Sequence, residues 1–250
     1  MKKEQLLGFV GPLLFLLVWA ALSYTKIVNP VLIPTPGDVA IKIWKLFYTG
    51  EIWLNLLSTI YRLLLGFVIS LALGIPLGLL LGASKKIANS LEFLIDFFRS
   101  IPASALFPMF LLFFGIGDTA NISVVVFSCT LVIIIYTMYG VKNAKDARIG
   151  MAKVLNASKF NIFTKIILPE SLPHIFAGAR ISISIALILV VVTEMFIGTK
   201  CGLGMLIYDS QQMFRIPTMY GVILLVGAIG YGLNKVFVVI ESKVFHWAGK

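Results

Sequence analysis

Few polar side chains in this sequence are spaced for chemistry. His174 and His246 are far apart and do not have the spacing of a metal pair. Cys201-Gly202-Leu203-Gly204 contains a G-x-G, but it follows no strand and opens no dinucleotide-type helix, so it reads as a turn or re-entrant bend. No G-x-x-x-x-G-K-[ST] occurs, so the chain has no P-loop with which to hydrolyse ATP itself. The remaining candidates are charges inside apolar runs, which are costly in hydrocarbon and default to functional hypotheses. Glu194 is near one end of such a run, and two readings stand: it lines a solute path, or it caps or pairs at the membrane interface. Arg180 lies about two turns inside the same run, on a stem long enough to snorkel. Glu92, Asp96 and Arg99 share one helical face, and Asp96 can pair with Arg99 at i, i+3. That pairing neutralises the site and argues against a proton relay. Arg99 and Glu194 are the candidates for a pathway or its gate.

The elements that position these residues are spans. The chain has 250 residues, 59% of them hydrophobic and 13% charged, with mean hydropathy +0.99. A soluble single domain has no use for so much apolar surface. Crossing a bilayer takes about 20 mostly apolar residues. Six runs qualify, at about 6–24, 57–82, 88–115, 119–141, 172–197 and 218–240. The third is interrupted by Pro102 and Pro108, and Arg62 stands near one end of the second. Nothing alternates as barrel strands would, so the fold class is an all-α membrane bundle of six spans. Glycines within 73–82 and 221–232 read as points of close helix packing. The core spans occupy about 57–240, in one transmembrane domain covering 1–250.

Charge sets the orientation. With the N-terminus inside, the inner segments hold twelve Lys and Arg and the outer ones five, so both termini face the cytoplasm. The net charge of +10 then reflects lysines held beside anionic lipid and is no sign of a nucleic-acid partner. Cys129 and Cys201 fall at different depths, which argues against a disulfide. Between the first two spans, Pro30, Pro34 and Pro36 force an extended path. An amphipathic segment follows at about 38–50 on the periplasmic side, with Asp38 as the expected N-cap and Val39, Ile43, Leu46 and Phe47 on one face.

The inner loop at about 142–171 is long, polar and basic. Ala152, Leu155, Phe160, Phe163 and Ile167 give a short helix–turn–helix an apolar face, with Lys153, Lys159 and Lys165 around it. The turn falls at Leu155-Asn156-Ala157-Ser158, and Ile166, Leu168 and Pro169 close the loop. An apolar centre with a polar rim suits docking to a soluble partner. The plainer reading is a hairpin resting on the membrane surface.

Position and spacing together resemble the EAA loop of the membrane subunits of bacterial ABC importers, which runs E-A-A, three residues, Gly, nine residues, I-x-L-P. Ala152, Ile166, Leu168 and Pro169 match it, while Gly150 replaces its Glu and Asn156 its Gly. Asn is the residue that best replaces Gly at a left-handed turn. The segments Ile33-Pro34-Thr35-Pro36, Arg99–Pro108, Phe114-Gly115-Ile116-Gly117, Glu194-Met195 and Gly202-Leu203-Gly204 follow the order found in the sulfonate, nitrate and taurine type of these permeases. The resemblance implies a multi-pass protein of the bacterial inner membrane and a homodimer of permeases. It further implies two ATP-binding ABC subunits beneath and an extracytoplasmic substrate-binding protein above. The chain would be no enzyme and carry no cofactor or metal, with ATP and Mg on the partner ATPase. A small anion would cross by alternating access, coupled through Ala152, Leu155, Asn156, Ala157 and Ser158.

A carrier or channel driven by an ion gradient is the alternative. It needs carboxylates or broken polar helices at mid-depth. The uncharged fourth span and nearly uncharged first argue against it. An intramembrane enzyme would need paired Asp or His, which the spans lack.

Overall fold

The computed structural model describes residues 2–25, 29, 31–144, 146–196 and 199–244. Among these there is no strand. The helices are α1 (Lys2–Tyr24), α2 (Pro36–Tyr48), α3 (Glu51–Ala83), α4 (Lys85–Ser100), α5 (Phe107–Phe114), α6 (Asp118–Lys142), α7 (Asp146–Val154), α8 (Lys159–Ile162), α9 (Leu168–Phe196), α10 (Leu203–Gln212) and α11 (Ile216–Val244). Helices α3, α6, α9 with its lead-in from Lys159, and α11 are each long and apolar enough to cross a membrane. Helix α4 and the segment Ala103–Phe114 make a fifth candidate, bent by 86°. The apolar part of α1, Val10–Tyr24, is shorter.

The break in the third run has one cause. Pro102 drives Ile101 out of the helical region to φ −76°, ψ 122°, and a short 3-10 turn at Ala103–Leu106 restarts the chain. Pro108, expected to break the run as well, sits in the first turn of α5, where a missing N–H costs nothing.

The centre of the bundle is α6 between α3 and α9. Glycine makes the α3–α6 contact close. A Cβ on Gly74 would stand 2.7 Å from Ile133, on Gly78 2.5 Å from Thr137 and on Gly82 2.5 Å from Val141. These three fulfil the packing expectation. On α11 the expectation holds in part: a Cβ on Gly221 would stand 2.8 Å from Ile43 and on Gly230 3.1 Å from Leu187, whereas Gly227 and Gly232 meet nothing within 4 Å. Leu63, Val124, Val125, Cys129, Ile183, Ala186 and Val190 fill the core between the three helices.

Helix α2 does not begin where expected. Its N-cap is Thr35, whose Oγ1 accepts from the Asp38 amide at 3.1 Å and donates to the Asp38 carboxylate at 2.7 Å. Pro36 fits the first helical turn, so the helix gains residues before Asp38. Val39 and Leu46 are buried, and α2 packs on α11, where Ile43 abuts Gly221. The proline segment is pinned to α1: Trp19 Nε1 donates to the Pro34 carbonyl at 3.0 Å and Ser23 Oγ to that of Ile33 at 3.1 Å.

Candidate functional site

Polar chemistry concentrates at the two ends of the bundle. At one end, α7 and α8 form a knob. Helix α7 stops in a Schellman turn: Asn156 is left-handed at φ 53°, its amide bonds to Lys153 O at 3.0 Å, and the Ala157 amide to Ala152 O at 2.9 Å. Ser158 then caps α8, accepting from the Asn161 amide at 3.2 Å. The expected turn at 155–158, with asparagine in the glycine-like position, is therefore present.

The expected apolar face divides. Leu155 (81% exposed) and Phe160 point outward, whereas Phe163 and Ile167 are half-buried against the bundle and Ala152 is half-buried too. Met151 and Val154 (83% exposed) join the outward set. The spacing 151, 154 and 155 is a helical face that sequence reasoning passed over. Lys153, Lys159 and Lys165 are exposed around it. Lys145 lies outside the described residues.

Ile166, Leu168 and Pro169 do not close a loop. Helix runs on from Lys159 through a π turn at Phe163–Ile167 straight into α9, with the Leu168 amide bonded to Phe163 O. Pro169 has no N–H for the Lys165 carbonyl and its ring crowds that turn, so the helix widens there. The knob is thus rigidly continuous with a spanning helix. Arg148 of α7 also donates to Glu170 of α9, tying the two arms. Gly150 faces open space, with nothing within 4 Å of a Cβ built there.

At the other end, charges are buried. The stripe Asn55, Ser58, Thr59 and Arg62 repeats at helical spacing on α3. Arg62 is 3% exposed. Its Nε donates to Asp118 at the start of α6 (2.8 Å), and its Nη1 to Glu194 of α9 (2.5 Å) and to the Cys201 carbonyl (2.7 Å). Glu194 is wholly buried. Its carboxylate also takes a hydrogen bond from the Thr59 hydroxyl at 2.9 Å and one from the Gly204 amide at 2.9 Å. The Thr59 hydroxyl in turn accepts from the Leu203 amide at 2.8 Å. Two orphan amides of the first turn of α10 are thereby satisfied, with a negative charge at its positive end.

Glycine is needed in this loop. Gly202 has φ +152°, and a Cβ there would stand 2.4 Å from the Glu194 carboxyl carbon; one on Gly204 would stand 2.1 Å from the Val191 carbonyl oxygen. Asn55 accepts from the Gly202 amide at 2.9 Å. The G-x-G is a turn, and its packing partner is a carboxylate.

Sequence reasoning singled out Glu194 and noted Arg62 and the glycines separately. The signal that joins them is the polar stripe on α3, which bonds to α6, to α9 and to the turn at 201–203. Arg99, the other pathway candidate, is elsewhere: it is exposed on α4 and pairs with Asp96 at 3.1 Å, as its spacing suggested. Arg180 is not simply snorkelling. Its Nε donates to Asn234 of α11 at 2.9 Å.

Helical spans, a broken third run, a protruding basic knob and a buried Arg62–Glu194 pair together define a polytopic membrane protein. Residues 74–245 match the family of binding-protein-dependent transport system inner membrane components, and the chain belongs to that family. It is 28% identical to the putative aliphatic sulfonates transport permease SsuC of Bacillus subtilis, over 96% of this chain and 87% of that one. It is 26% identical to the taurine transport system permease TauC of Escherichia coli, over 96% of this chain and 90% of that one. Its fold resembles that of a chain of the MetNI methionine ABC transporter solved in an inward facing conformation, with TM-score 0.68, 20% identity and coverage of 78% and 98%.

Proposed function

We propose that the chain is the membrane permease subunit of an ATP-driven importer for a small anion, of the aliphatic sulfonate, taurine or nitrate kind. In this reading α1, α3, the bent pair α4–α5, α6, α9 and α11 are six spans with both termini in the cytoplasm. The knob at 146–167 then faces the cytoplasm beneath the membrane, and the buried cluster faces outward. The observation that carries the reading is the knob's exposed apolar cap, Met151, Val154, Leu155 and Phe160. It protrudes from the basic end of the bundle, rimmed by lysines and continuous with a spanning helix.

An exposed apolar cap on a rigid turn suits a groove on a soluble protein. Force applied to the cap passes through an unbroken helix to α9, whose far end holds Glu194. This is a physical route by which events at a partner ATPase can tilt the spans and expose a solute path to each side in turn. A second permease, two ATP-binding subunits and an extracytoplasmic binding protein complete the assembly in this reading. ATP and Mg belong to the partner, and selection among anions belongs chiefly to the binding protein.

The test is reconstitution with the partner ATPase and the binding protein. Leu155→Glu or Ala157→Glu is expected to abolish solute-dependent coupling while ATP hydrolysis and membrane insertion persist. Normal coupled uptake by both variants would sink the proposal, and so would transport by the pure chain without an ATPase.

A further inference from the structure

Between α9 and α11 lies a groove of about 450 Å³. Ile181, Ile185 and Ile188 line its apolar side, and Arg180, Ser184, Asn234 and Glu241 supply its polar groups. Arg180 is twelve residues after Leu168, roughly 18 Å along the helix at about 1.5 Å per residue, and sixteen before Phe196. It therefore stands about two turns inside the apolar run at 172–197. A cation at that depth is expensive unless something negative meets it.

What meets it within the chain is incomplete. The guanidinium is held along one edge: Nε donates to Asn234 Oδ1 at 2.9 Å, and Nη1 reaches Glu241 only at 3.4 Å. Among the described residues Nη2 has no partner in the protein. Because Asn234 accepts through Oδ1, its amide nitrogen is left as a donor. The Ser184 hydroxyl has only a long 3.4 Å bond to the Arg180 carbonyl of its own helix. Three kinds of donor thus converge on one groove. A guanidinium edge with neighbouring N–H and O–H donors matches an anion with several oxygens on one centre.

We propose that Arg180, Ser184 and Asn234 form an oxyanion site inside the membrane. Its occupant is either a small imported oxoanion in transit or the phosphate of a lipid headgroup whose acyl chain lies along Ile181–Ile188. The first source rests on the importer reading; the second does not. Glu241 is the competing anion that balances Arg180 when the site is empty of ligand, and ligand binding displaces it.

The experiment uses the full chain in detergent, with thermal melting in sodium ethanesulfonate, sodium nitrate and sodium chloride at equal ionic strength. A parallel arm measures retention of phosphatidylglycerol against phosphatidylcholine by native mass spectrometry. The expected result is oxoanion protection beyond that of chloride or preferential retention of phosphatidylglycerol. The first assigns the solute and the second the lipid.

In either case Arg180→Gln should weaken the effect at least tenfold. Arg180→Lys, which keeps the charge and loses the fork, should weaken it as well and covers the case in which the glutamine variant does not fold. Glu241→Gln should strengthen binding, since it removes the competitor. A purely structural Arg180–Glu241 tie predicts the opposite, a less stable protein with no gain in binding.

The proposal is overturned by equal melting in all three salts with no lipid preference, by binding unchanged in both Arg180 variants, or by weakened binding in Glu241→Gln. The importer reading fails on separate grounds, when coupled uptake survives Leu155→Glu and Ala157→Glu.

Discussion

The two ends of this bundle solve the same local problem in opposite ways. Each has a turn that must satisfy the backbone at a helix terminus. At the knob, the backbone does this by itself: Ala157 and Asn156 close back onto α7, and the side chains are left free to point outward. At the other end, the start of α10 is satisfied by side chains from α3 and α9, and charges are taken out of solvent to do it. The knob is complete in its geometry and incomplete in its burial. The cluster is complete in its bonding, and its Arg62 and Glu194 are buried, while Asp118 stays half exposed. A surface of the first kind leaves apolar side chains uncovered, and a core of the second kind holds helices in register.

The comparison breaks first at the cluster. Arg62→Ala leaves the buried Glu194 carboxylate without its counter-ion and should cost about 3–5 kcal/mol, whereas Glu194→Ala, which leaves Arg62 its ion pair with Asp118, should cost less. Thermal unfolding in detergent checks it, and the double variant should lose less than the sum of the two singles. Equal, additive losses would show that the pair is not coupled.

Next come the close packings. Gly78→Val drives side-chain atoms into Thr137 and should cost about 1–3 kcal/mol by overpacking. The same substitution at Gly227, which meets nothing, should cost little or nothing, because valine is no poorer a helix former than glycine, and the contrast in melting between the two is the measurement.

A smaller effect is expected at the knob's turn. Asn156→Ala must hold a left-handed backbone that alanine disfavours, at about 1–2 kcal/mol, whereas Asn156→Gly should be neutral or better. Hydrogen exchange at Ala157, whose amide closes the turn, reports it directly. The smallest change is Gly150→Ala. With nothing within 4 Å of the new Cβ, it should stabilise α7 by roughly 0.5–1 kcal/mol and leave coupled uptake intact.

Much of this was legible beforehand. The spans follow from runs of apolar residues, because hydrocarbon leaves the backbone no choice but to bond within each helix. The turn at 155–158 was readable since Asn and Ser carry their conformational preferences with them. The cap of α2 was misplaced by three residues because Thr35 and Asp38 are both good caps, and the choice between them depends on Pro36 fitting the first turn. The Ile166–Pro169 segment, expected to close the loop, lies within continuous helix, where a π turn absorbs Pro169 without ending it.

By itself, then, the sequence determined the membrane class, four of the expected spans with a bent fifth, and the existence of a basic knob with a left-handed turn. These are local properties: hydropathy, charge and backbone preference act within a few residues. Only the tertiary structure decided that Thr59, Arg62, Asp118, Glu194 and the glycines 202 and 204 are one cluster, that Arg99 is outside it, and that Arg180 faces α11. Apart from Glu194 and the glycines, those partners are more than 50 residues apart along the chain. Their meeting depends on how α3, α6, α9 and α11 rotate against one another, which is set by glycine-scale fit between helices that hydropathy does not encode.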